Sequence, residues 1–311
     1  LLVQMNLLLH GMDGVRVERA NAFARKLADY GPADDVDLVG TNVPFGAEVT
    51  REDLSAFPPD RQTSDSALLF VQVIMARLRR TPTPAGRPAR AAIIVPNGVL
   101  SELGTAAAIK RDLLADFRLH TVIRLPEGVF APYTDIPTNI LLLDAAGPTD
   151  DIAFYRIPIP SDRSKFTKTS PIEAAHLDPV LGWLRAPTES ENSWIVKWGE
   201  EHRAADTAAA EEARACSRAL RDLKSSDAPK SKLAAAETAL AEAEARAKAA
   251  QQQADALYWP AFDLEHKNPR AKDAAEHVAP AELAQRMVKR AERMTQLLRE
   301  MEAELKLARS E

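Results

Sequence analysis

The chain has 311 residues, a net charge of −5 and aromatic residues at 5%. That length holds two domains, or one domain with an extended appendage. The acidic balance argues against a protein that grips nucleic acid unaided, because such proteins carry a basic face. The single cysteine, Cys216, excludes a disulfide framework and a cysteine-based zinc site. The six histidines are scattered without metal-ligand spacing, so no metal is expected. No apolar run reaches the ~18 residues of a membrane span, and no signal peptide is evident, so the chain reads as cytoplasmic.

In chain order, Leu7-Leu8-Leu9-His10-Gly11 reads as the tail of a helix closed by a glycine. From there to residue 150, short apolar runs alternate with helical periodicity, the pattern of an α/β domain with a parallel sheet. Strands are expected over 15–17, 36–41, 91–96, 121–125 and 139–143, and helices over 64–80 and 106–117. Ala67, Leu68, Val71, Ile74, Met75 and Leu78 share one face of the first of these helices. Ile93-Ile94-Val95 and Leu141-Leu142-Leu143 are apolar throughout, as strands covered on both faces are.

The strand at 36–41 runs into Asn42-Val43-Pro44-Phe45. An exocyclic amine is a poor nucleophile, because its lone pair is delocalised into the ring. A site that accepts hydrogen bonds from both of its N–H groups favours a tetrahedral nitrogen. The Asn42 side-chain oxygen and a neighbouring backbone carbonyl are suitable acceptors. Pro44 holds the loop extended, and Phe45 offers a face on which a flipped-out base can stack. Asn97, at a strand's carboxyl end, is a further candidate for ligand contact. Tyr133 and Asp135 either border the target or form an ordinary turn, and His10 and His120 read as structural. Arg77, Arg79, Arg80, Arg87 and Arg90 form the best local basic patch, around a proline-rich loop.

Residues 151–202 read as an irregular connector with a small excursion at Phe154-Tyr155-Arg156-Ile157, and Trp183, Trp194 and Trp198 as packing residues. Over 203–257, Ala209, Ala213, Cys216, Leu220 and Leu223 alternate spacings of four and three, and Leu233, Ala236, Leu240 and Ala243 resume the seam after Pro229. That pattern predicts a helical coiled-coil hairpin. Residues 258–311 are expected to be a loop followed by a long C-terminal helix with a Met-rich heptad stripe at Ala284, Met287, Ala291, Met294, Leu298, Met301 and Leu305. The stripe suits either an adaptable partner surface or packing within the chain.

Taken together and in order, these pieces resemble the modification (methyltransferase) subunit of type I restriction–modification systems, the N6-adenine DNA methylases. The resemblance rests on Met5-Asn6-Leu7-Leu8-Leu9-His10-Gly11, Asp37-Leu38-Val39-Gly40-Thr41-Asn42-Val43-Pro44-Phe45-Gly46, Val95-Pro96-Asn97-Gly98, Val122-Ile123-Arg124-Leu125-Pro126-Glu127-Gly128-Val129-Phe130 and Phe262-Asp263-Leu264-Glu265-His266-Lys267-Asn268-Pro269. It covers most of 1–150 and returns at 258–270. It implies the C-terminal part of a Rossmann-like class I methyltransferase sheet (the target-base half), followed by the all-α hairpin and the C-terminal helix.

The resemblance also implies a site. Asn42, Val43, Pro44 and Phe45 are its catalytic loop, and Asn21 and Asn42 its cofactor-binding residues, for S-adenosyl-L-methionine. Val43 stands where the family usually has proline; the acceptor there is a backbone carbonyl, which valine also has, but the loop loses some rigidity. The family's glycine-rich cofactor loop is missing, since no Gly-x-Gly occurs in the chain. The implied partners are a specificity subunit, a restriction subunit, a second methyltransferase subunit and, through the complex, double-stranded DNA. Most of the hairpin's surface reads as a self-contained, solvated charged face; a role in embracing DNA or in contacting the restriction subunit stays open. Two alternatives stay open: a non-catalytic assembly scaffold, or one half of a split methyltransferase.

Overall fold

The computed structural model describes residues 2–12, 14–200 and 258–270, together with Ala249, Gln252, Asp255 and Ala256. The chain divides into two compact units, Leu1–Pro269 and Arg270–Glu311. Apart from those four positions, the expected hairpin over 203–257 lies outside the described residues, as does the stripe at 284–305.

Among the described residues, six strands form one sheet in the order β1-β2-β4-β3-β5-β6. They are β1 (Leu38–Asn42), β2 (Arg90–Pro96), β3 (Arg118–Arg124), β4 (Thr138–Asp144), β5 (Ile152–Arg156) and β6 (Ser193–Val196). The helices are α1 (Leu2–Leu9), α2 (Arg51–Leu54), α3 (Ser66–Arg77), α4 (Gly98–Ser101), α5 (Thr105–Asp116) and α6 (Asp178–Trp183).

The sheet is mixed, not parallel as the sequence pattern suggested. β1 pairs with β2 and β3 with β5 in parallel, while β4 runs antiparallel to both β2 and β3, and β6 antiparallel to β5. The cause is the 125–137 loop, which contains no helix. Without a crossover helix the chain re-enters at the edge it left, so the returning strand must run antiparallel.

Two other expectations change. Residues 15–17 form no strand, and Val17 is 44% exposed. The supposed connector supplies two strands and a helix, with Trp183, Trp194 and Trp198 all buried. All of β5 except Arg156 is buried. Burial on both faces erases the alternation that marks a half-exposed strand.

The main core lies between the sheet and α3 and α5. Leu68, Val71, Ile74, Ile93, Leu113, Val122, Leu141 and Phe154 meet there. A smaller cluster of Ile123, Tyr155, Ile157, Val180 and Trp183 seals the other face under α6. Residues 258–268 return to this unit. Phe262 and Leu264 enter the main core, and the Leu264 N–H donates to the Leu100 carbonyl (3.0 Å). The Trp198 indole N–H donates to the Ala261 carbonyl (2.8 Å), and the Asn268 amide to the carbonyls of Ser190 (3.1 Å) and Glu191 (2.8 Å). Among the described residues, no helix is long and apolar enough to cross a membrane.

Candidate active site

The loop after β1 is held by three contacts that local sequence explains. Alternation along the strand turns Val39, Thr41 and Val43 inward and Gly40 and Asn42 outward. Val43 is buried to 2% exposure, and its N–H extends the ladder to the Ile94 carbonyl (3.3 Å). Ser66, fully buried at the start of α3, donates its hydroxyl to the Pro44 carbonyl (3.1 Å) and accepts from the Ala47 N–H (3.2 Å). The helix start itself is fixed by Asp65, whose carboxylate accepts from the Ala67 N–H (2.7 Å). Gly46 has φ +64°, a conformation that favours glycine, and turns the chain toward Ser66. The rigidity that a second proline would supply at position 43 comes here from burial and from Ser66.

These contacts leave the acceptors open. Among the described residues, no hydrogen bond engages the Asn42 side chain or the Val43 carbonyl. Phe45 is half-buried, and the edge of its ring meets Phe130 at 5.7 Å between centroids and 80° between planes. Phe130 comes from the β3–β4 loop. Its motif was visible in sequence, but its place against Phe45 depends on the mixed sheet that brings this loop to the same edge.

Asn21 lies before β1, and its contacts go elsewhere. Its side-chain oxygen accepts from the Phe23 N–H (2.9 Å), and its amide donates to the Asp53 carboxylate (2.7 Å). Asp53 also accepts from the Thr50 hydroxyl (2.7 Å) and N–H (2.9 Å). The Thr50 hydroxyl, then the Thr50 N–H and Asn21, hold the Asp53 carboxyl below the usual carboxylate range. Asn21 is exposed, and one amide N–H is still available to a ligand.

Asn97 sits at the carboxyl end of β2. Its side-chain oxygen accepts from the Asn139 amide (3.1 Å), and both line a cleft of about 450 Å³ with Arg124 and Arg156. Tyr133 is 92% exposed, and Asp135 pairs with Lys165 at 3.3 Å. Two members of the basic patch are spent within the fold. Arg79 pairs with Asp37 (2.6 Å), and Arg80 pairs with Asp116 (3.2 Å) and lies 3.9 Å from the Phe117 ring. The His10 ring bonds to the Asn6 carbonyl (2.8 Å) and the His120 ring to the Thr121 hydroxyl (2.9 Å), both local structural contacts. Among the described residues no acidic, histidine or cysteine cluster is placed to hold a metal ion.

With this geometry in view, comparison with known proteins is informative. The family model described as N-6 DNA Methylase matches residues 1–221. The methylase subunit of type I restriction enzyme EcoEI from Escherichia coli is 35% identical over 206 residues, covering 63% of this chain and 40% of that protein. The EcoKI methylase subunit from Escherichia coli (strain K12) is 34% identical over 194 residues, covering 57% and 34%. Among solved structures, a modification subunit assigned to a type I restriction enzyme from Vibrio vulnificus YJ016 is 47% identical. It superposes with a TM-score of 0.61 over 64% of this chain and 41% of that one. A chain of another type I R-M system is 27% identical, with a TM-score of 0.59 over 97% of this chain and 51% of that one. The match spans about two fifths or less of the curated relatives' length.

Proposed function

We propose that this chain, which belongs to the N-6 DNA Methylase family and is homologous to type I restriction enzyme methylase subunits, is the target-base half of an adenine-N6 DNA methyltransferase. The observation that carries this reading is the β1 loop. It holds Val43 and Pro44 rigidly while the Asn42 oxygen and the Val43 carbonyl stay open.

In this reading a flipped adenine stacks on Phe45, and Phe130 braces that ring from its edge. Asn42 and the Val43 carbonyl accept the two N6 hydrogens and concentrate the nitrogen lone pair. The Pro44 carbonyl is the weaker candidate, because Ser66 already occupies it. S-adenosylmethionine, when bound, supplies the electrophilic methyl group. The residues of this chain fit that cofactor only in part. Asn21 and Asn42 are available, but no Gly-x-Gly loop lets the backbone approach it closely. The rest of that site must come from other residues, in a longer chain or a separate one.

The open edge of β1 favours such a half-site over a pure scaffold. β1 ends the sheet with Leu38 67% exposed, and α1 exposes Leu2 at 83% and Leu9 at 84%. A strand edge and apolar residues of this kind suit a second half of the domain. The proposed assembly is a cytoplasmic type I complex with specificity and restriction subunits, a second methyltransferase subunit and duplex DNA. Residues 284–305 are the proposed contact with the specificity subunit. The test is nucleoside mass spectrometry of duplex DNA incubated with the complete enzyme. N6-methyladenine is the expected product; a methylated cytosine, or no methylated base, contradicts the reading.

A further inference from the structure

β3 and β5 end side by side, and their register sets Arg124 directly opposite Arg156. In a parallel pair, partnered residues project from the same face. Like charges placed this way repel and weaken the sheet. Neither arginine is neutralised in the usual manner. Arg124 is only 13% exposed and is fixed by a bond from its guanidinium to the His266 carbonyl (2.9 Å), 5.8 Å from the Phe154 ring and 5.7 Å from the Trp194 ring. Among the described residues its one ion pair, to Glu265, is long at 3.7 Å. Among the described residues, no carboxylate lies within ion-pair distance of Arg156.

Both guanidinium groups border the cleft of about 450 Å³, with Asn97, Asn139 and Ser164 as neutral hydrogen-bonding groups and Glu127 and Glu265 as the opposing charges. A fold that breaks a local rule at the mouth of a cleft is expected to use the site. An arginine held rigid beside one that is free to swing suits a phosphate oxyanion, which takes planar, paired N–H donors.

We propose that Arg124 and Arg156 form a phosphate-binding site for the backbone of a nucleic-acid strand. The proposal rests on the DNA reading above. β3 lies three strand positions from β1, roughly 14 Å, at the same carboxyl edge of the sheet as the target-base loop. A few nucleotides of one strand span that distance.

The test uses the assembled complex that contains the full chain and a fluorescein-labelled duplex, with affinity measured against salt. Arg156→Gln is expected to weaken binding about three- to tenfold and to flatten the salt slope by about 1. Arg118→Gln, at the opposite end of β3 and paired with Asp144, is expected to leave both unchanged. The thermal transition of Arg156→Gln is expected to hold or to rise by up to about 2 °C, since a like-charge pair is relieved. Duplex binding with unaltered affinity and slope in Arg156→Gln overturns the site and leaves the DNA reading standing. If the duplex does not bind but inorganic phosphate raises the transition of the wild type and not of Arg156→Gln, the oxyanion site holds and its source is a free phosphate group. No response to either probe overturns the site, whereas the methyltransferase reading is decided separately by N6-methyladenine formation.

Discussion

The two ends of the sheet are built in opposite ways. At the β5–β6 end Phe154 stacks on Trp194 at 5.1 Å and 8°, α6 covers one face, and the Asn268 side-chain amide ties down Ser190 and Glu191 just before β6. At the β1 end Leu38 is 67% exposed, α1 buries none of its residues, and no further strand follows among the described residues. Yet the proposed catalytic loop stands at the open end. A loop that must admit a base sits where the sheet is unfinished, and its order comes from the burial of Val43 and from one buried serine beneath it.

That contrast can be broken or sharpened by substitution. At the closed end Phe262→Ala should cost the most, about 3–5 kcal/mol, because the ring is fully buried in the main core. Urea unfolding measures it, and a loss under 1 kcal/mol would mean that residues 258–264 do not belong to the core. Asn42→Ala should have the reverse profile. Methyl transfer by the complete enzyme should fall at least about 10²-fold with stability unchanged, because an exposed acceptor acts in the transition state. A matching loss of stability would make Asn42 structural.

Lys110 offers a pH test. Burial pushes its amine down to about 8, against 10.5 unperturbed, with Asp263 and Glu102 partly opposing the shift, while its ammonium donates to the Leu100 carbonyl. The unfolded chain therefore binds more protons between these values, so stability rises as pH climbs from about 8 toward 10.5 and is lowest below both. The rise should be on the order of 2–3 kcal/mol, and Lys110→Met should abolish it. A wild-type stability flat across that window would refute the burial argument.

Ser66→Ala tests the order of the loop at the open end. It leaves the Pro44 carbonyl and the Ala47 N–H without their partner, at about 1–3 kcal/mol, and should slow methyl transfer by loosening the loop. Wild-type kinetics in this variant would show that the loop is ordered by other means. Smallest of all, Leu9→Ser at the open end should shift stability by less than about 0.5 kcal/mol, since the side chain is 84% exposed. A larger loss would mean that α1 packs on this unit.

How much of this was legible depended on whether a feature is local. β2 and β4 could be read because Ile93-Ile94-Val95 and Leu141-Leu142-Leu143 are apolar throughout. The direction of β4 could not, because it follows from a helix-free loop rather than from any strand pattern. β5 and β6 were hidden by burial on both faces and by the intervening irregular stretch. The loop from Asn42 to Phe45 was legible as a motif. Its support was not, since Ser66 reads only as an ordinary residue at the start of a helix. The Arg124–Arg156 pair likewise exists only once the β3–β5 register is known.

This chain is proposed to carry the target-base half of the site and only a fragment of the cofactor half. Calorimetry with S-adenosylmethionine tests it most directly, on this chain alone and on a protein in which this chain is extended by a segment carrying the glycine-rich cofactor loop. Binding is expected only for the extended protein. Tight binding by this chain alone would contradict the division of the site, and binding by neither would remove the cofactor from the account.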